Sequence, residues 1–258
     1  MKAAMKKAYL WLIFIFLYAP ILVLVLFSFN ASKSRASWEG FSLKWYIELF
    51  QDRAIMTALG NTVLIAVVSA LAAAVVGTIA AIGIYNLKGW RKNFIINVTY
   101  LPILNPDIVT GISMMILFIA LSFPRGLASL IIAHITFGLP YVVISVLPKL
   151  AQLDPQIFDA ALDLGATPRE AYTKVILPQV LPGVFTGFLL AFTMSVDDFV
   201  VSFFVTGNGV ENLAISIYSM ARRGINPKIN AVLTLLFAAV VAMMYLIQRR
   251  LRKSTSDI

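Results

Sequence analysis

Residues 154–178 read DPQIFDAALDLGATPREAYTKVILP, a polar stretch set between two long apolar runs. Asp154-Pro155 has the form of a helix start, with aspartate as N-cap and proline in the first turn. A helix from Gln156 to Leu164 follows, and Gly165 is placed to stop it as the glycine just beyond the helix end. Thr167-Pro168-Arg169-Glu170 repeats the start signal, with Glu170 at the spacing of a capping box from Thr167. The expectation is two short helices that meet at Gly165. On the first, Ile157, Ala160, Ala161 and Leu164 form one small apolar face, and Asp154, Asp159 and Asp163 lie off it. A hydrophilic helix pair in so apolar a chain calls for an aqueous partner.

The rest of the chain explains why this stretch stands out. Of 258 residues, 60% are hydrophobic and 13% charged, with mean hydropathy +0.88. A soluble domain of this size has too little interior to hide so much apolar surface. Apolar spans of roughly 20 residues cross a bilayer as helices. Six candidates are visible, at 9–29, 62–85, 94–121, 127–147, 180–205 and 229–247. Helices satisfy their backbone internally, so an all-α integral membrane bundle of six transmembrane helices is expected. Alternating segments of the β-barrel kind are not seen.

The net charge of +9 suggests nucleic acid only until the basic residues are located. They sit beside the spans, as the positive-inside rule requires. One side carries Lys2, Lys6, Lys7, Lys88, Arg91, Lys92, Lys149, Arg169, Lys174, Arg249, Arg250, Arg252 and Lys253. The other carries Lys33, Arg35, Lys44, Arg53, Arg125, Arg222, Arg223 and Lys228, so the 21 basic residues divide 13 to 8. The bias directs both termini to the cytoplasm, which an even number of spans also requires. Lys2, Lys6 and Lys7 before an apolar run resemble a signal peptide, but the run is too long, so it is expected to remain as the first span. With no cysteine and one histidine, a metal site is not expected.

Between spans, Trp38, Trp45 and Tyr46 suit an interfacial segment in the 30–59 loop, and 207–228 reads as polar and irregular up to Asn226-Pro227. Pro20, Pro102, Pro106, Pro140 and Pro182 are helix breakers within spans, and Pro102 and Pro106 bracket Asn105 just ahead of Asp107. Asp107, Asp197 and Asp198 are acids within apolar segments, where a charge costs about 2.5–3.5 kcal/mol on insertion scales. Such acids face a cavity, cap a broken helix or pair with a cation. Carboxylates lining a cavity would favour cationic solutes. Asp197 and Asp198 are about 100° apart on a helix, so both are not expected to face one path; Asp198 is the first choice to do so, then Asp107, then Asp197. Phe192, Phe199, Phe203 and Phe204 offer either cation–π faces or packing. His134 is expected to serve a hydrogen bond in helix packing.

The pattern D-A-A-x3-G-x9-V-x-L-P, at Asp159, Ala160, Ala161, Gly165, Val175, Leu177 and Pro178, resembles the EAA loop of ABC importer permeases, E-A-A-x3-G-x9-I-x-L-P. Asp159 stands where the family has glutamate and Val175 where it has isoleucine. NPDIVTGIS at 105–113, AHITFGLPYVV at 133–143, LAFTMSVDDFVVSFFVTG at 190–207, GINPKINA at 224–231 and YAPILVLVLFSFNAS at 18–32 are similar to polyamine permeases. The likeness covers nearly the whole chain. It points to binding-protein-dependent permease subunits, and within them to the second permease subunit of spermidine/putrescine importers.

The resemblance implies a type-1 (MetI-like) permease bundle in a bacterial inner membrane. It implies a first helix and periplasmic segment over 1–59, a permease domain over 60–248 containing a cytoplasmic coupling loop at 151–178, and a basic tail at 249–258. Asp159, Ala160, Ala161, Gly165, Leu177 and Pro178 would couple to a cytoplasmic ATPase. Implied partners are a second permease subunit, two copies of that ATPase and an external polyamine-binding protein. The chain lacks a G-x-x-x-x-G-K-[ST] phosphate loop, so it is not expected to be an enzyme or to hold a cofactor; ATP and magnesium would belong to the ATPase. The alternatives are the same role for another cationic solute such as ferric iron or thiamine, an ion-coupled secondary transporter, and a membrane scaffold. No internal repeat supports the secondary transporter.

Overall fold

The computed structural model describes residues 2–33, 37–207, 209–223 and 227–256, and within these all side chains except those of 2–5, 8 and 242–256. Arg35 and Asn226 lie outside the described residues, as do the side chains of Lys2, Arg249, Arg250, Arg252 and Lys253.

Twelve helices follow one another among the described residues. They are α1 (Lys2–Ser28), α2 (Lys44–Gln51), α3 (Arg53–Asn86), α4 (Gly89–Leu104), α5 (Asp107–Ala120), α6 (Leu127–Ala151), α7 (Ile157–Asp163), α8 (Pro168–Glu170), α9 (Leu177–Asp197), α10 (Val200–Val205), α11 (Leu213–Arg222) and α12 (Pro227–Ser256). A π-helical stretch, Ala171–Ile176, joins α8 to α9, so Pro168–Asp197 is one continuous apolar helix of 30 residues. This helix, Tyr9–Ser28 of α1, α3 and α6 are each long and apolar enough to cross a membrane. The pair α4 and α5 makes a fifth crossing if counted as one bent span, and Pro227–Val241 of α12 is a shorter apolar helix.

Two of the six expected spans are interrupted. The third, expected as one run over 94–121, bends by 104° between Leu104 and Asp107. Pro106 cannot continue the α4 hydrogen-bond ladder and holds Asn105 in extended backbone. The fifth ends at Asp197 and restarts at Val200. Pro20, Pro102, Pro140 and Pro182, by contrast, lie inside helices that continue past them. The 207–228 segment also departs from expectation, because it contains α11. Its first turn is capped by Asn212, whose Oδ1 accepts from the Ile215 backbone N–H at 2.9 Å.

The chain divides into two compact units, 1–56 with 216–258, and 57–215. In the first, Asn30 is 1% exposed and organises the segment after α1. Its Oδ1 accepts from the Glu39 backbone, its Nδ2 donates to the Ser37 carbonyl at 2.7 Å, and its own carbonyl accepts from Trp45 Nε1 at 2.7 Å. Trp45 is therefore a buried core residue, whereas Trp38 is exposed. Lys228, at the start of α12, reaches Asp52 at 3.2 Å and Glu48 at 3.8 Å.

In the second unit α3, α6 and α9 pack through small residues. A Cβ on Gly187 would fall 2.8 Å from Val142 Cα, and one on Gly77 2.7 Å from Val142 Cβ. Such close helix approach is how membrane helices gain packing energy without a hydrophobic driving force. The resulting core centres on Val142, Val146, Val180 and Ala191. A second cluster, with Ile65, Met114, Phe118, Leu130 and Val205, seats α10 against α5 and α6.

Candidate functional site

The 154–178 loop follows the cap chemistry of its sequence with two differences. Asp154 does not cap a helix directly. Its Oδ1 accepts from the Gln156 N–H at 2.9 Å and closes a turn, and α7 begins at Ile157. At the far end the Gly165 N–H donates to the Leu162 carbonyl at 2.9 Å and the Ala166 N–H to the Ala161 carbonyl at 3.1 Å. With φ of +87° at Gly165, this is the Schellman ending that the glycine announced. The second start is a capping box as expected. The Glu170 N–H donates to Thr167 Oγ1, the Thr167 N–H donates to Glu170 Oε2 at 3.0 Å, and Lys174 adds a 2.7 Å ion pair to Glu170. What it starts is not a separate short helix but the long helix through α9.

The packed face of α7 is also shifted. Ala161 is buried, Ile157 and Phe158 are half-buried, and Ala160 is exposed. Leu164 is 90% exposed, at the tip beside the Gly165 turn. The contact that fastens α7 is aromatic: the Phe158 ring lies 4.9 Å from that of Tyr172 in the π-helical stretch. Leu177 packs against the α3–α6–α9 core, and Pro178 sits in the first turn of α9. Behind α7 lies a cleft of about 580 Å³, with Lys88 and Lys92 among its lining residues as well as Asp154 and Asp159.

The three acids of the apolar segments all stand at the helix breaks. Asp107 is the first residue of α5, exposed in this chain, where its charge suits the positive end of the helix dipole. Asp197 is the last residue of α9 and is also exposed. The two acids are within electrostatic reach of each other, and Tyr141 of α6 is within reach of Asp107. Asp198, the first choice for a path acid, instead turns inward and is engaged by its own chain. Oδ1 accepts from the Val201 N–H at 3.1 Å and Oδ2 from the Ser202 N–H at 2.7 Å, which together cap α10.

His134 of α6 supplies the packing hydrogen bonds expected of it. Its side chain is fully buried, with Nδ1 2.6 Å from Ser195 Oγ and Nε2 3.0 Å from Ser202 Oγ. Asp198 Oδ2 lies 3.6 Å from Nε2. Asn212 Nδ2 donates to Ser202 Oγ at 2.7 Å and to the Asp198 carbonyl at 3.3 Å. Sequence reasoning did not find Ser195, Ser202 or Asn212, which are 61 to 78 positions from the histidine they surround. Among the four phenylalanines, Phe192 packs on the core and Phe204 on Gly111, while Phe203 is half exposed beside Phe199.

This all-helical bundle, with its capped loop between apolar helices, is the type-1 permease bundle of ABC importers. The chain belongs to the family of binding-protein-dependent transport system inner membrane components, whose model matches residues 73–257. It is 41% identical to the putrescine transport system permease protein PotI of Escherichia coli K12, over 95% of this chain and 91% of that protein. It is 36% identical to the spermidine/putrescine transport system permease protein PotC of the same organism, over 98% of each. Its fold matches a bacterial ABC transporter involved in the import of the acidic polysaccharide alginate, with TM-score 0.74 and 16% identity, over 97% of this chain and 94% of that one.

Proposed function

We propose that this chain is the transmembrane permease subunit of an ATP-driven polyamine importer, with putrescine and spermidine as its substrates. The observation that carries this reading is the 36–41% identity, over nearly its whole length, to permease proteins of putrescine and spermidine transport systems. The site chemistry supports it. Asp107 and Asp197 place exposed carboxylates at two helix breaks, where irregular backbone belongs beside a cavity rather than lipid. A polyamine carries several ammonium groups, and two acids offer it more than one counter-charge.

The subunit works with a second permease subunit, two copies of a cytoplasmic ATPase and an external polyamine-binding protein. ATP and magnesium are bound by the ATPase, and this chain performs no covalent chemistry. It sits in the bacterial inner membrane with both termini in the cytoplasm, as the basic residues divide. Asp159, Ala160, Ala161 and Gly165 form the docking helix and its turn. Leu164, 90% exposed at the tip of that turn, is the apolar side chain this loop offers to the ATPase.

The coupling follows from one continuous element. ATPase closure moves α7, and Phe158 passes the motion to Tyr172. Tyr172 lies in the helix Pro168–Asp197, whose 30 residues span about 45 Å at 1.5 Å per residue. Leu177 and Pro178 begin its regular part, and Asp197 ends it. Motion at the loop thus arrives at the acids. The test is uptake of labelled putrescine into proteoliposomes holding the complete complex. ATP-dependent uptake, competed by spermidine and not by thiamine or ferric iron, is the expected result. Uptake without ATP, driven by a pH gradient, would refute the assignment.

A further inference from the structure

We infer that His134 is a positioning residue for polyamine transport: it bridges the break between α9 and α10 and thereby fixes where Asp197 stands. This rests on the reading of Asp197 as a carboxylate of the transport path.

The geometry is that of a clamp. One ring nitrogen of His134 holds Ser195 of α9, three residues before the break, and the other holds Ser202 of α10, three residues after it. The imidazole itself belongs to neither helix. It stands on α6, which the close Gly187–Val142 and Gly183–Ser145 approaches hold rigidly against α9. Two helices joined by two residues have many relative directions available. A single rigid ring, bonded to both and fully buried, selects one.

The rest of the network completes the clamp. Asn212 ties Ser202 and the Asp198 carbonyl to the segment that follows α10. Ser195 Oγ lies 3.4 Å from Ser69 Oγ of α3, which itself donates to the Ile65 carbonyl at 2.6 Å. The Asp198 carboxylate beside Nε2 favours a proton on that nitrogen, leaving Nδ1 to accept from the Ser195 hydroxyl. Every buried polar side-chain atom among the described residues has a partner, so the network is complete as it stands. Its outcome is that adjacent acids diverge: Asp198 is held inward by the α10 cap, and Asp197 is left facing outward. A fully satisfied buried network rigidifies its surroundings and specifies one arrangement.

The test compares His134→Leu, His134→Gln and Asp197→Asn in the reconstituted complex, with spermidine concentration varied in both uptake and stimulated ATPase activity. Leucine keeps the volume and loses both bonds, and glutamine keeps one donor and one acceptor near Nε2. The account expects His134→Leu to assemble with the ATPase, to keep its maximal rate within about twofold and to raise the spermidine KM about tenfold, the effect of losing about 1.4 kcal/mol of alignment. His134→Gln should recover most of that rise. Ser202→Ala, a smaller change, should raise KM in the same direction and carries the test if the leucine variant does not assemble. If Asp197→Asn raises KM and neither the His134 variants nor Ser202→Ala do so, the positioning role is wrong and the site stands. If Asp197→Asn leaves KM unchanged, the reading of Asp197 as a path residue is wrong.

Discussion

The ring centroid of Phe158 lies 4.9 Å from that of Tyr172, with the planes inclined by 41°, and this pair fastens α7 to the helix that ends at Asp197. Phe158→Ala is expected to leave the bundle folded, since the ring is only half-buried and its loss costs less than the ~3–5 kcal/mol of a fully buried phenylalanine. Co-purification with the ATPase should persist while spermidine-stimulated hydrolysis falls. Wild-type stimulation in the variant would remove this pair from the coupling path.

Gly165 adopts φ of +87° with open space around its Cα, so a side chain there is opposed by backbone strain and not by a clash. A non-glycine residue in that region costs about 1–2 kcal/mol. Gly165→Ala should therefore weaken coupling, and Gly165→Asp should abolish it by adding a charge to the docking face. Uptake and ATPase pull-down on both variants check this, and normal uptake by Gly165→Asp would sink the docking assignment.

Asp198 and Asp197 should fail in different ways. Asp198→Ala removes the cap of α10 and should cost about 0.5–2 kcal/mol of stability. That is visible as a lower Tm of the purified complex. Asp197→Ala should leave Tm unchanged, because its carboxylate is exposed at a helix end. Equal Tm for both variants would contradict the division of roles.

Lys228 ties the start of α12 to Asp52. Partial burial pushes the Asp52 carboxyl up, but the Lys228 ammonium and the backbone N–H groups of Ile55 and Ala54 outweigh it, and the net shift is downward. A carboxylate with a depressed folded value stabilises the protein above its ordinary titration range, and this is lost as pH falls through the folded value. Asp52→Asn should therefore lower Tm near neutral pH and make no difference in strong acid. Melting curves across pH check it; a constant gap at every pH would exclude the linkage.

The loop was the most legible part of the chain because its signals are local. Gly165 and the Thr167–Glu170 box each act within four residues, and each stands where the caps require. The apolar runs likewise read directly as helices. The breaks were harder. Pro106 breaks its span while Pro20, Pro102, Pro140 and Pro182 do not, because the surroundings of a membrane helix can re-satisfy the backbone groups a proline frees, and those surroundings are not written in the local sequence. The packed face of α7 is not legible for a related reason: helical spacing marks Leu164 as apolar but cannot say that Phe158 finds Tyr172. The His134 clamp was least visible, since its serines and Asn212 look ordinary until α6, α9 and α10 are brought together.

The central claim is that carboxylates at the helix breaks recognise a polycation. The most direct measurement is the spermidine dependence of ATPase activity in the reconstituted complex carrying Asp107→Asn together with Asp197→Asn. Loss of desolvated ammonium–carboxylate pairs costs about 2–5 kcal/mol each, about 4 kcal/mol or more for the two, so the account predicts an apparent affinity for spermidine reduced at least several hundredfold, with ATPase assembly intact. Wild-type spermidine affinity in the double variant would contradict it.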